Sequence, residues 1–221
     1  MLIIKMKQTK LLFILSVVLV FYLKKISGHG RLMDPVNRSS MWRKGYYTPI
    51  NYNDNENFCG GFTVQYSKNS GKCGVCGDDY NDPRPRKNEN TGTYGLGNIV
   101  ATYNTGDKIH VIAEITANHK GHFEFQLCPL NNSMEMEEEE CFEKYHLPLV
   151  DGSYKYVLPT ENTGFFETDI ILPKGISCDH CVLRWEYIAG NNWGTCTDGF
   201  GKLGCGPQET FKSCSDIKII Q

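Results

Sequence analysis

Two histidines carry the first hint of chemistry. His29 stands in Ser27-Gly28-His29-Gly30-Arg31, directly after an apolar run, and His119 stands in Thr116-Ala117-Asn118-His119-Lys120-Gly121-His122. An internal histidine offers a metal one good nitrogen. A histidine that begins a chain offers two, its imidazole and its α-amino group. The amine has an ordinary pKa of about 7.7–8.0, so a metal displaces only one proton there. A backbone amide at the same place is not basic and cannot substitute. One more nitrogen completes a planar, T-shaped set, and imidazole and amine ligands favour copper among the first-row divalent ions. His119 is the best supplier, because it follows a strand-like run ending near Ile115, where a rigid scaffold can present a loop residue. His122 lies three residues further on, would face the other way in extended chain, and is read as a non-ligand. Each histidine also has a plainer reading, His29 as an accident of cleavage and His119 as a hydrogen-bonded structural residue.

The chelate requires a chain that is cut before His29. Lys5, Lys7 and Lys10 form a positive segment, and LLFILSVVLVFYL from Leu11 to Leu23 is apolar. Those 13 residues fall short of the roughly 20 that span a bilayer, and they suit a secretory signal peptide over residues 1–28. Gly28 places a small residue at the cut, while Ile26 fits the small-x-small rule only in part. A cut near Ser27 and retention as a membrane anchor are the alternatives. Removing residues 1–28 discards five lysines and no acids, leaving 18 Lys+Arg against 25 Asp+Glu, a net charge of −7. Such a chain does not seek nucleic acid or anionic membrane, and a neutral partner fits it better.

All ten cysteines lie beyond the cut: Cys59, Cys73, Cys76, Cys128, Cys141, Cys178, Cys181, Cys196, Cys205 and Cys214. An even number in an exported chain implies disulfides, here up to five, with connectivity left open. In a cytosolic chain, Cys73-Gly74-Val75-Cys76 and Cys178-Asp179-His180-Cys181 would instead read as a four-cysteine zinc site. Asn37-Arg38-Ser39 and Asn131-Asn132-Ser133 are candidate glycosylation sites at Asn37 and Asn131.

The elements that must hold the two histidines read as strands. From Arg31 to about Arg86 the chain is dense in Gly, Asn, Asp, Tyr and Cys, and predicts long loops tied by disulfides. Short β-rich runs follow at residues 98–103, 108–115, 122–127, 168–172, 181–187 and 215–220, several alternating with period two. With no strong helix between them, they predict an all-β, immunoglobulin- or fibronectin-III-like antiparallel β-sandwich, with the long loops decorating one end. Residues 29–221 form a single domain in this reading, a monomer with no carbohydrate-binding module. Met134 to Glu140, MEMEEEE, reads as a solvated acidic loop.

Taken in order, HGRLMDPVNRSSMWR, NYNDNENFCGGF, GKCGVCGD, TANHKGHFEFQLCP, LRWEY, NNWGTC and ETFKSCSDIKI resemble the lytic polysaccharide monooxygenases of arthropods, auxiliary activity family fifteen. The resemblance runs from His29 to the C-terminus. It implies one copper per chain, held by the amino group and imidazole of His29 and the imidazole of His119. It also implies apolar residues flanking the copper, Ala117 on one axial side and Phe211 on the other, where some relatives carry tyrosine. Glu186 in LRWEY is either a polar group behind the ligands or an ordinary strand residue. The implied activity is secreted, oxidative cleavage of insoluble polysaccharide, chitin foremost and cellulose second, using O2 or H2O2 and an external electron donor. No acid and base pair is then required, unlike glycoside hydrolysis. Tyr46 and Tyr47 are candidates for stacking on sugar, or else pack internally, and Trp185 belongs to the core. A non-catalytic chitin-binding protein on the same sandwich is the rival. A metalloprotease is disfavoured, since the His-Glu-x-x-His motif is missing.

Overall fold

A computed structural model describes residues 29–221. The signal-peptide expectation for residues 1–28 lies outside the described residues. The chain runs through β1 (His29–Asp34), β2 (Ala101–Asn104), β3 (Lys108–Ala117), β4 (His122–Pro129), a short helix α1 (Glu139–Glu143), β5 (Tyr156–Val157), β6 (Gly164–Ile171), β7 (Cys178–Ile188), β8 (Trp193–Thr195), β9 (Gly201–Leu203) and β10 (Thr210–Ile220). Three strands in the order β1-β3-β6 face five in the order β2-β10-β7-β4-β5, and β8 with β9 forms a separate ribbon. The sandwich is antiparallel throughout except that β2 runs parallel to β10.

Period-two patterning explains how the sheets close on one another. Ile109, Val111, Ala113 and Ile115 of β3 point inward, and so do Phe123, Phe125 and Leu127 of β4. Leu183, Trp185 and Tyr187 of β7 meet them together with Phe211, Ile217 and Ile219 of β10. Trp185 is fully buried, as expected, and its ring lies edge-on to Phe123 at 5.1 Å.

The two sheets differ on their outer faces. Strand β3 alternates buried with exposed, so its back meets solvent. Strand β10 is buried on both faces for nearly its whole length. The long N-terminal loops lie over its back rather than at one end of the sandwich. They form a second small core in which Val75, Cys76, Leu130 and Phe142 pack with Val182 and Cys214. All ten cysteines pair, as Cys59–Cys73, Cys76–Cys214, Cys128–Cys141, Cys178–Cys181 and Cys196–Cys205. Cys73 and Cys76 enter different bridges and Cys178 bonds Cys181, so the zinc alternative falls. The long Cys76–Cys214 bridge fastens the loops to β10 and closes the largest loop, the kind of link that most constrains an unfolded chain.

Two surface expectations are corrected. The acidic segment is not simply solvated, because Glu137 is fully buried and takes an ion pair from Arg38. Its neighbours Glu138 and Glu139 pair with Arg84 and Arg184. Asn37 is also buried: it caps a 3-10 turn (Arg38–Lys44) and spends its amide nitrogen on Leu32 O and Ser40 Oγ. It offers no room for a glycan in the folded protein. Asn131 stays exposed.

Candidate metal centre

Strand β1 delivers His29 to the edge of the three-stranded sheet, where its register partner on β3 is Ala117. Gly30 must be small: a Cβ there would stand 2.6 Å from Ile115 Cδ1 and 3.1 Å from Trp185. The main chain of Gly30 is tied to the 51–57 loop by a 3.1 Å bond from its N–H to Asn55 O. That loop in turn hangs on Asp54, a fully buried carboxylate bound by Arg31, Arg43 and Ser40. It sets Glu56 Oε1 at 3.0 Å from His29 Nε2. The contact occupies the ring nitrogen remote from the main chain, and Nδ1 is the ring nitrogen on the side of the main-chain nitrogen.

His119 follows β3 by two residues and is locked by its backbone. Its N–H donates to the Tyr187 hydroxyl at 2.9 Å, and its carbonyl accepts from Gly190 N at 2.8 Å. The chain then turns through Lys120 and Gly121 at positive φ, 57° and 86°. At Gly121 a Cβ would lie 2.0 Å from Ile188 O, so only glycine fits. Burial first, then the nearby Glu209 charge, push the Tyr187 pKa far up and keep its hydroxyl protonated.

The imidazole of His119 is only 4% exposed, and neither of its ring nitrogens makes a hydrogen bond among the described residues. Nδ1 lies 3.2 Å from Glu209 Oε2, but poorly aligned for a hydrogen bond. A buried polar nitrogen without a partner costs about 1–3 kcal/mol, and a metal ion relieves that cost. This is the fit a copper ligand requires.

Phe211 is fully buried opposite Tyr187 in the β10–β7 ladder, stacked on it at 5.5 Å and on Phe58 at 6.2 Å. His122 bonds Glu124 at 3.0 Å, as suits a non-ligand. Glu186 is not brought to the pair. It alternates with Tyr187 along β7, so it points out of the opposite face, where its carboxylate lies 3.7 Å from Lys212. Tyr46 and Tyr47 are both exposed. Sequence reasoning missed Glu56 and Glu209. Glu209 precedes Phe211 by two residues and shares its side of an extended chain, which could have revealed it had β10 been extended back that far.

The family model for lytic polysaccharide mono-oxygenase, described as cellulose-degrading, matches residues 29–217. The chain belongs to that family of copper monooxygenases. Within it the chain is of the arthropod type, auxiliary activity family fifteen. It is similar to the family-fifteen enzyme of Thermobia domestica in the Cu(I) state, at 48% identity and a TM-score of 0.85, covering 86% of this chain and 98% of that one. A monooxygenase of Micromonospora aurantiaca matches at 12% identity and a TM-score of 0.45, covering 86% of this chain and 99% of that one. Comparison with curated proteins gave no match.

Proposed function

We propose that the chain is secreted, trimmed to begin at His29, and cleaves insoluble polysaccharide oxidatively at one copper ion held by a histidine brace. The ligands are the α-amino nitrogen and Nδ1 of His29 with the imidazole of His119. The observation that carries this reading is the buried His119 imidazole, whose nitrogens make no hydrogen bond among the described residues, two residues beyond the strand partner of His29. Five disulfides suit the extracellular compartment. Bound copper supplies the redox chemistry that oxidises a sugar C–H, with an external electron donor and O2 or H2O2.

The chain's own residues prepare the two imidazoles. Glu56 accepts from His29 Nε2–H and so fixes the tautomer whose Nδ1 is a lone pair. Glu209 lies beside His119 Nδ1 and favours a proton there, which presents Nε2 to the metal. Ala117 keeps the β3 side of His29 small, and Phe211, braced by Tyr187 and Phe58, brings an apolar ring with no hydroxyl to ligate or be oxidised.

Chitin is the substrate favoured by the resemblance to arthropod enzymes. Cellulose is the second reading, favoured by the description of the matched family. The protein starting at His29 should bind Cu(II) far more tightly than a form with one extra N-terminal residue, measured by calorimetric titration. It should release oxidised oligosaccharides from chitin, detected by mass spectrometry, only with copper and ascorbate. Equal copper affinity of the two forms would remove the brace, and products from cellulose alone would reverse the substrate order.

A further inference from the structure

The β8–β9 ribbon, between β7 and β10 in the chain, carries exposed apolar side chains that nothing in the fold uses. Trp193 is 71% exposed, Phe200 74% and Leu203 54%. In the β8–β9 ladder Trp193 pairs with Leu203, so both stand on one face, and Phe200 lies at the tip. The ribbon is stiff. Cys196–Cys205 closes it, and Gln208 reaches back to Asn192 through 3.0 and 3.1 Å bonds at both its amide atoms. Gly201 is needed for its shape, because a Cβ there would stand 3.0 Å from the Trp193 ring.

Both legs of the ribbon are rooted on His119. Gly190 N–H donates to the His119 carbonyl at 2.8 Å on one leg, and on the other Glu209 Oε2 lies 3.2 Å from its imidazole. Ala189 N–H donates to Glu209 O at 2.9 Å and joins the two legs. The exposed rings therefore ride on the loop that holds the metal ligand. An isolated apolar side chain on a surface needs no explanation, but a rigid aromatic pair anchored to a catalytic ligand does.

We propose that this ribbon grips the polysaccharide, with the Trp193–Leu203 face stacking on the C–H face of a pyranose ring and Phe200 contacting the chain from the tip. The proposal rests on the polysaccharide-cleaving function above and adds where the polymer is held. Stacking suits a neutral polymer whose rings are apolar on their faces and hydroxylated at their edges. Thr195, two residues from Trp193 on the same strand, shares the aromatic face and supplies a hydrogen bond to such edges.

The test compares copper-loaded wild type, Trp193→Ala, Trp193→Phe and Phe200→Ala in binding to suspensions of β-chitin and microcrystalline cellulose. Copper affinity and ascorbate-driven O2 consumption without polysaccharide are measured alongside. Trp193→Ala should bind about tenfold more weakly, an amount typical of one lost aromatic contact, with both copper readouts unchanged. Trp193→Phe should retain most of the binding. Wild-type binding by Trp193→Ala overturns the ribbon as the grip, while wild-type cleavage leaves the function standing. A wild type that binds copper but neither polysaccharide overturns both. A variant that changes only self-association, read by sedimentation, assigns the patch to a second copy of the chain and overturns the proposal.

Discussion

Two imidazole–carboxylate pairs flank the five-stranded sheet and have opposite fates. His180 Nε2 meets Asp216 Oδ1 at 2.7 Å, and the same carboxylate takes two bonds from Arg38, at 2.9 and 2.6 Å. Arg38 spends its remaining donor on Glu137 and on Asn88 O. Every strong group there has a partner within the chain. His119 sits as deeply, but among the described residues its nitrogens make no hydrogen bond, and the Glu209 carboxylate 3.2 Å from Nδ1 is poorly aligned with it. The closed pair holds loops onto a sheet, and the open pair leaves both imidazole nitrogens without a hydrogen bond among the described residues. Under the proposed function, saturation is the physical mark that separates the structural His180 from the ligand His119.

The closed pair breaks with the largest effect. Arg38→Met should leave Glu137 buried without its counter-charge and Asp216 with His180 alone, and should cost about 3–5 kcal/mol in chemical denaturation. Thermal unfolding followed by circular dichroism should show the matching fall in midpoint. A loss below 1 kcal/mol would mean that the network is not what fixes the loops. Copper affinity per folded molecule should barely change, since Arg38 is bonded to the loops on the back of β10 rather than to the metal centre.

The sequence revealed the sheets well where one face is wet. Strand β3 alternates cleanly, so its run at 108–115 was legible and only its last two residues were missed. The N-terminal half of β10 was not, because Lys212 and Cys214 on its back are covered by loops and no apolar-polar alternation survives. Strand β1 was hidden by its glycine and charges, although Gly30 is required by packing against Ile115. Of the candidate site, His29 and His119 were legible from their types and positions. Glu56 and Glu209 could not, since a carboxylate three residues before Cys59 or beside Thr210 looks like surface until the fold brings it to a ring nitrogen. Asn37 misled for the same reason: a sequon records three residue types but not burial.

Acid sharpens the contrast with a smaller effect. Burial opposes the charge on Asp216, yet Arg38 and His180 outweigh it and pull its pKa down to about 2 from an ordinary 3.8. A carboxylate whose folded pKa is depressed contributes stability that is complete above the unfolded value. That stability drains away as pH falls from near 4 towards 2. The expected loss is about 2 kcal/mol across that window, read from denaturation midpoints at stepped pH. Arg38→Met should flatten the dependence. A wild-type profile flat between pH 4 and 2 would show that the pair is not ionised in the folded state.

The smallest effect probes the open pair. Glu209→Gln preserves size and can still accept a hydrogen bond, but it removes the negative charge beside His119 Nδ1. A carboxylate behind a ligating imidazole raises its basicity and fixes the tautomer, and outer partners of this kind typically contribute about 10–100-fold in metal affinity. The poor alignment of the 3.2 Å contact places this residue at the low end, so Cu(II) should bind about tenfold more weakly by calorimetric titration. That is about 1.4 kcal/mol, less than either disturbance of the closed pair. Stability of the metal-free protein should stay within about 0.5 kcal/mol, because no aligned bond to the imidazole is lost. A variant that loses fold stability while keeping copper affinity would reverse the contrast, making Glu209 a structural partner like Asp216.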